Sequence, residues 1–74
     1  ADLRGADLRG ANLTGADLTR SNLAGANLSE ANLRETALIQ ANLSEAILTG
    51  TFFTDADLTE ANLSHANLKD AKLN

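Results

Sequence analysis

The sequence predicts an all-β chain that coils into a polygonal β-solenoid. Three observations predict it. Leucine returns at every fifth residue from Leu3 to Leu73, with Phe53 as the sole substitute. Alanine stands two places before it in every unit except those that begin with Ser21, Thr36 and Thr51. Aspartate or asparagine stands between the two except at Ala37, Ile47, Phe52 and Lys72. Repeats govern architecture before any local preference does, and this one runs the whole length of the 74 residues.

A period of five excludes the straight elements. On an α-helix each residue turns about 100°, so leucines five apart advance about 140° and form no stripe. On a single long strand side chains alternate with period two, and an odd spacing throws successive leucines onto opposite faces. A coiled coil requires about 3.5 residues per turn. A chain that turns a corner once per unit gathers all the leucines. The Ala-Asx-Leu segment then reads in-out-in like a short strand, and the fourth and fifth positions make the bend. Gly5, Gly10, Gly15, Gly25 and Gly50 all fall at the fifth position, where a permissive backbone favours a turn. The Asx side chains favour turns as well, by bonding to nearby backbone. This arithmetic leaves the number of sides open.

The tandem Ala-(Asp/Asn)-Leu-x-x units, among them "ADLRG" twice at the start, "ANLSE", and "ADLTEANLSHANLKD" near the end, resemble the pentapeptide-repeat family along the whole chain. That resemblance implies a right-handed quadrilateral β-helix with four repeats per coil, hence about 3.7 coils, as one domain spanning 1–74. Residues twenty apart should then stack. The third interior column would be Leu13, Leu33, Phe53 and Leu73, a structural core set. Thr36 and Thr51, at narrow inward positions, should bury hydroxyls that need backbone partners.

Composition restricts function. The net charge is −4, with no cysteine, proline, tryptophan, tyrosine or methionine. Nucleic acid is not expected as a partner, because Lys and Arg supply most phosphate affinity. No apolar run approaches the roughly 18 residues that span a bilayer, so no membrane partner is expected. The charge is uneven: residues 1–20 balance, whereas 41–60 hold Glu45, Asp55, Asp57 and Glu60 with no basic residue. The absence of an initial methionine, and a pattern that starts and stops in mid-repeat, suggest a fragment or part of a longer repeat protein. Its open coil ends would stack on another copy or be capped in a longer parent. Both cytoplasmic and exported locations are compatible with the composition.

No catalytic, cofactor or metal site is expected. His65 is the single histidine, at an outward fifth position, and no second imidazole or thiol exists to complete a transition-metal site. A filled lumen leaves no substrate pocket. Glu35 and Asp55 should stack on one face as solvated acids. The function expected is a non-catalytic structural or protein–protein interaction module, acting on an unidentified protein partner or by self-association through its coil ends. The contact-patch candidates are Ile39, Ile47 and Phe52, apolar residues where the pattern expects polar ones. Lys72, one coil beyond Phe52, is expected to cover its ring. The alternative, which the resemblance implies, is a DNA-mimicking binder of type II topoisomerase (gyrase). That role asks for a long, strongly acidic, two-fold symmetric rod, which this short chain with its balanced first coil does not match.

Overall fold

The computed structural model describes residues 2–73. Eleven single-residue parallel bridges tie the second position of one unit to the second position twenty residues on, from Asp2 with Asn22 to Phe52 with Lys72. They join end to end into four ladders. The first runs through Asp2, Asn22, Asn42 and Asn62, and the second through Asp7, Asn27, Ile47 and Asn67. The third runs through Asn12, Asn32, Phe52 and Lys72, and the fourth through Asp17, Ala37 and Asp57. The chain therefore winds as a parallel β-coil that returns to register every twenty residues, and its extents are 23 × 19 × 19 Å.

The backbone hydrogen bonds explain why five residues suffice for one unit. The third-position amide donates to the second-position carbonyl of the next coil, as Leu23 does to Asn42 at 2.7 Å, and the fifth donates to the fourth, as Gly25 does to Ser44 at 2.9 Å. The second-position amide donates back to the first-position carbonyl of the preceding coil, as Asn42 does to Ser21 at 2.9 Å. The first-position amide closes the bend by donating to the third-position carbonyl of the unit before it, as Ala26 does to Leu23 at 3.0 Å. Four of the five amides are thus bonded by backbone alone, which meets the need of a half-buried main chain to pair its polar groups.

The fifth amide, at the fourth position, goes to the Asx side chain. All eleven second-position Asx residues accept it on Oδ1 from two residues ahead, at 2.9–3.3 Å. The Asx repeat is therefore the acceptor that completes the turn, an Asx-turn built into every regular unit.

The bend requires a positive φ at the fifth position, and every unit adopts one. The five glycines lie at φ 66–73°, and nine other residues, Arg20 through Asp70, lie at 58–62°. Left-handed backbone costs a residue with a Cβ about 1–2 kcal/mol. At Arg20, Glu30, Glu35, Gln40 and Glu45 the next coil holds the fifth amide; Glu30 donates to Thr49 and Gln40 to Thr59, each at 2.8 Å.

The core is the inward column set. Leu23, Leu28, Leu33, Leu38, Leu43 and Leu48 are fully buried, and Phe53 nearly so. Small first-position residues pack beside them, among them Ala26, Ala31, Ala41 and Ala46. The hydroxyl of Thr36 donates to the Leu13 carbonyl at 2.8 Å and that of Thr51 to the Leu28 carbonyl at 2.7 Å, so both buried hydroxyls have backbone partners. Of the expected core column, Leu33 and Phe53 are buried and Leu13 is half-buried. Leu73 departs from expectation: it is 60% exposed, because it stands on the last described rung and is covered from one side only.

Candidate functional site

The interior is used up by packing, so chemistry is confined to outward positions. The four lapses in the Asx pattern fall on three ladders. Ile47 is the outward residue of the second ladder and is 39% exposed; Phe52 is that of the third and is half-buried. They flank the turn formed by Thr49 and Gly50. Ile39 does not join them. It is half-buried at the fourth position of a fourth-ladder unit, after Ala37, so the three candidate residues occupy three different units around the coil.

Phe52 is covered, but not by the residue expected. The guanidinium carbon of Arg34 lies 4.4 Å from the ring centroid, a cation–π stack. Lys72 is the ladder neighbour of Phe52, yet its ammonium donates to the Asp70 carbonyl at 3.2 Å. Arginine takes the face because its planar group lies flat on a ring, and because it starts from the fourth position of the preceding coil, offset toward the ring by two residues.

A shallow depression beside this stack is lined by Glu30, Thr49, Gly50, Phe52, Asp70 and Lys72. A second is lined by Asp7, Arg9, Gly10, Ser29 and Glu30. Both lie along the column of fifth positions 10, 30, 50 and 70. Gly10 and Gly50 place no side chain on that column, and Glu30 stands between the two notches. A Cβ on Gly50 would meet the Glu30 Cγ at 3.4 Å, which is ordinary contact.

Among the described residues, ion pairing is confined to the first coil. Arg4 grips Asp2 through Nε and Nη2 at 2.9 and 2.8 Å, and Arg9 grips Asp7 at 2.8 Å through both. These bidentate bonds, aided by the Arg4 and Arg9 backbone amides, bring the Asp2 and Asp7 carboxyls from the usual 3.8 to about 2. The Thr19 and Thr59 hydroxyls, with their backbone amides, lower Asp17 and Asp57 in the same sense. The acidic stretch 41–60 is not an acidic face. Asp57 sits on the fourth ladder, Glu60 accepts from Gln40, and Glu45 and Asp55 occupy two other corner columns. His65 is exposed on the same corner column as Glu45, one coil on. Among the described residues no three His, Cys, Asp or Glu side chains converge as a metal site, and no helix is long and apolar enough to cross a membrane.

A surface feature that sequence reasoning missed is a side-chain relay up the corner column 20, 40 and 60. Arg20 Nε donates to Gln40 Oε1 at 3.0 Å, and Gln40 Nε2 donates to Glu60 Oε1 at 2.8 Å. The spacing of twenty was the signal that could have found it.

Comparison with known proteins gives a consistent result. Residues 1–38 and 36–74 each match the family described as pentapeptide repeats (8 copies). HetL of the cyanobacterium Nostoc sp. strain PCC 7120, a pentapeptide repeat protein involved in heterocyst differentiation regulation, is 47% identical and superposes with a TM-score of 0.90 over 95% of this chain and 33% of its own. A pentapeptide repeat protein of the Arabidopsis thaliana thylakoid lumen is 37% identical, with a TM-score of 0.93 over 95% of this chain and 48% of its own. Another from Nostoc PCC 7120 is 42% identical, with a TM-score of 0.59 over 97% of this chain and 64% of its own. The chain thus spans between a third and two thirds of the length of these relatives. Curated protein sequences give no significant match. The repeat profile covers the chain end to end, and three solved relatives share its coil; the chain belongs to the pentapeptide repeat family.

Proposed function

We propose that the chain is a non-catalytic protein-interaction module, a right-handed four-sided β-helix of about 3.7 coils that presents one altered corner to a protein partner. The observation that carries this reading is the pair of outward apolar residues, Ile47 and Phe52, on either side of the Thr49–Gly50 turn. Each stands where an Asx residue would complete a turn, so each sacrifices a hydrogen-bond acceptor for an apolar surface. Aliphatic and aromatic anchors beside polar groups are what protein interfaces concentrate at their centres. HetL, whose described role is regulatory, supports a binding rather than a chemical task for a coil of this kind.

DNA mimicry draws no support from the charge distribution, since Asp2 and Asp7 are paired with Arg4 and Arg9 and the remaining acids are spread around the coil. A gyrase supercoiling assay checks that point, and inhibition at micromolar protein would reinstate mimicry.

The experiment for the interaction reading is site-specific photo-crosslinking in the cell that produces the protein. A benzophenone side chain at position 47 or 52 should trap one defined protein, while the same group at position 62, on the regular first ladder, should not. Equal trapping at all three positions, or none at 47 and 52, would overturn the reading.

A further inference from the structure

The side of the coil that carries the first ladder is neutral and chemically polarised. Its middle is Asn22, Asn42 and Asn62, above Asp2. One flanking corner holds only Ala24, Ser44 and Ser64 above Arg4, and Arg4 is paired with Asp2. The other flanking corner is the relay column. It has a cation at one end, Arg20, a carboxamide in the middle, Gln40, and an acid at the other end, Glu60. Arg20 gives only Nε to Gln40, and Glu60 accepts only on Oε1. A guanidinium edge and a carboxylate oxygen therefore stay open two rungs apart, about 9.6 Å along the coil. The three Asn side chains use Oδ1 for the turn bond, at 2.9–3.1 Å, and among the described residues nothing accepts from their Nδ2.

We propose that this side docks a second copy of the chain, antiparallel, about a two-fold axis at the level of Gln40, Asn42 and Ser44. The proposal goes beyond the interaction reading above and uses a different side of the coil from Ile47 and Phe52. A two-fold axis perpendicular to the coil lays each column on itself in reverse, as an isologous interface requires. Arg20 then faces Glu60 of the second copy, and Glu60 faces its Arg20. Asn22 faces Asn62, and Asn42 faces its own copy. A carboxamide both donates and accepts, so each free Nδ2 meets an oxygen with a lone pair to spare. Facing sheets pack about 10 Å apart, a gap that an arginine and a glutamate span together. A two-fold axis along the coil makes none of these charge pairs, because it sets Arg20 against Ala24 and Glu60 against Ser64. The one like-charge meeting on this side is Glu45 with its own copy, at an exposed corner where repulsion is weak. The net charge of −4 keeps copies apart elsewhere, whereas here the charge is balanced and each end of the relay column is the complement of the other. That self-complementarity selects a second copy over a partner of a single sign. With extents of 23 × 19 × 19 Å, one side is at the low end of interface sizes, so the dimer is weak, with a dissociation constant of roughly 0.1 mM.

The test is sedimentation velocity of the chain from about 10 µM to 1 mM, with charge reversals at the two ends of the relay column. Arg20→Glu and Glu60→Arg should each weaken dimerisation at least about tenfold, because each turns two facing ion pairs into two like-charge pairs. The double variant should restore it. Both substitutions suit the backbone, since arginine and glutamate already stand at positive φ at other fifth positions of this coil. The orientation is read by oxidative crosslinking, which is clean because the chain has no cysteine. Ser44→Cys stands on the two-fold level and should form a disulfide-linked dimer readily. Ser64→Cys faces Ala24 of the second copy and should stay monomeric. A monomer at millimolar concentration would overturn the proposal, as would a double reversal that fails to restore the dimer. Association that ignores both single reversals would place the contact elsewhere, at the coil ends or another side, and would overturn it too. Equal crosslinking at positions 44 and 64 would rule out the antiparallel arrangement.

Discussion

Replacing Asn42 by alanine removes one acceptor and little else. Its Oδ1 accepts the Ser44 amide at 3.0 Å, in a half-buried position at the middle of the first ladder. The backbone bonds of the same residue, from its amide to Ser21 and from Leu23 to its carbonyl, do not involve the side chain and persist. The loss is therefore one hydrogen bond to a partly exposed amide, about 0.5–1.5 kcal/mol. For a domain of this size about 1 kcal/mol shifts the melting temperature by roughly 4–8 °C. Asn42→Asp keeps the oxygen and should stay within about 3 °C of the parent at neutral pH. The converse is Ala37→Asn, which supplies the acceptor that the Ile39 amide lacks, and it should raise the melting temperature by a similar amount. Thermal unfolding followed by circular dichroism measures all three. If Asn42→Ala melts with the parent, or Asn42→Asp is as damaging as the alanine variant, then the Asx repeat does not stabilise the coil by this turn bond.

Acid should weaken the first coil in a defined window. Asp2 and Asp7 have folded-state values near 2 against 3.8 ordinarily, so their contribution is complete above about pH 4 and disappears as pH falls through 2. Asp2→Asn with Asp7→Asn should flatten the stability profile between those limits, as read by denaturant midpoints across pH. In the core, Leu33→Ala should cost about 2–5 kcal/mol by leaving a cavity, read as a shift of the urea midpoint. Thr51→Val should lie within ~1 kcal/mol of the parent, because the Leu28 carbonyl that loses the hydroxyl still accepts the Ala31 amide at 2.9 Å. Gly15→Ala should destabilise by roughly 1 kcal/mol through backbone strain alone. Its φ is 73° and a new Cβ meets nothing within 4 Å, so a crystal structure of the variant should show no displaced neighbour.

Much of this coil was legible because its inward and outward positions follow from the period alone. Leu33, Phe53 and the two buried threonines needed only the rule that five residues make one side. The bend was legible in part. Glycine marked the fifth position in five units, but the nine other residues held at positive φ carry ordinary side chains, and only the inter-coil lattice reveals what their backbone does. The candidate patch was half legible. A pattern break identifies Ile39, Ile47 and Phe52 one by one, whereas their separation around the coil depends on the twenty-residue return. The cover on Phe52 was misassigned to Lys72 because stacking was counted in whole coils. Long side chains reach diagonally, and Arg34 lies eighteen residues away, not twenty. Leu73 was placed in the core because a repeat says nothing about how many rungs lie on each side of it.

The return of register every twenty residues gives the chain a reading frame in space. An inserted stretch of twenty residues adds one storey and leaves every later side chain on its original ladder. A single inserted unit of five keeps each leucine pointing inward but moves everything beyond it to the next ladder. Placed between Arg34 and Phe52, such a unit would carry the ring away from its guanidinium and move Gly50 out of the column it shares with Glu30. An insertion whose length is not a multiple of five shifts the later leucines off the inward position. Duplication in this protein is thus silent, rearranging or lethal according to its remainder on division by twenty and by five, so its surface can be shuffled by whole sides without any change to its interior.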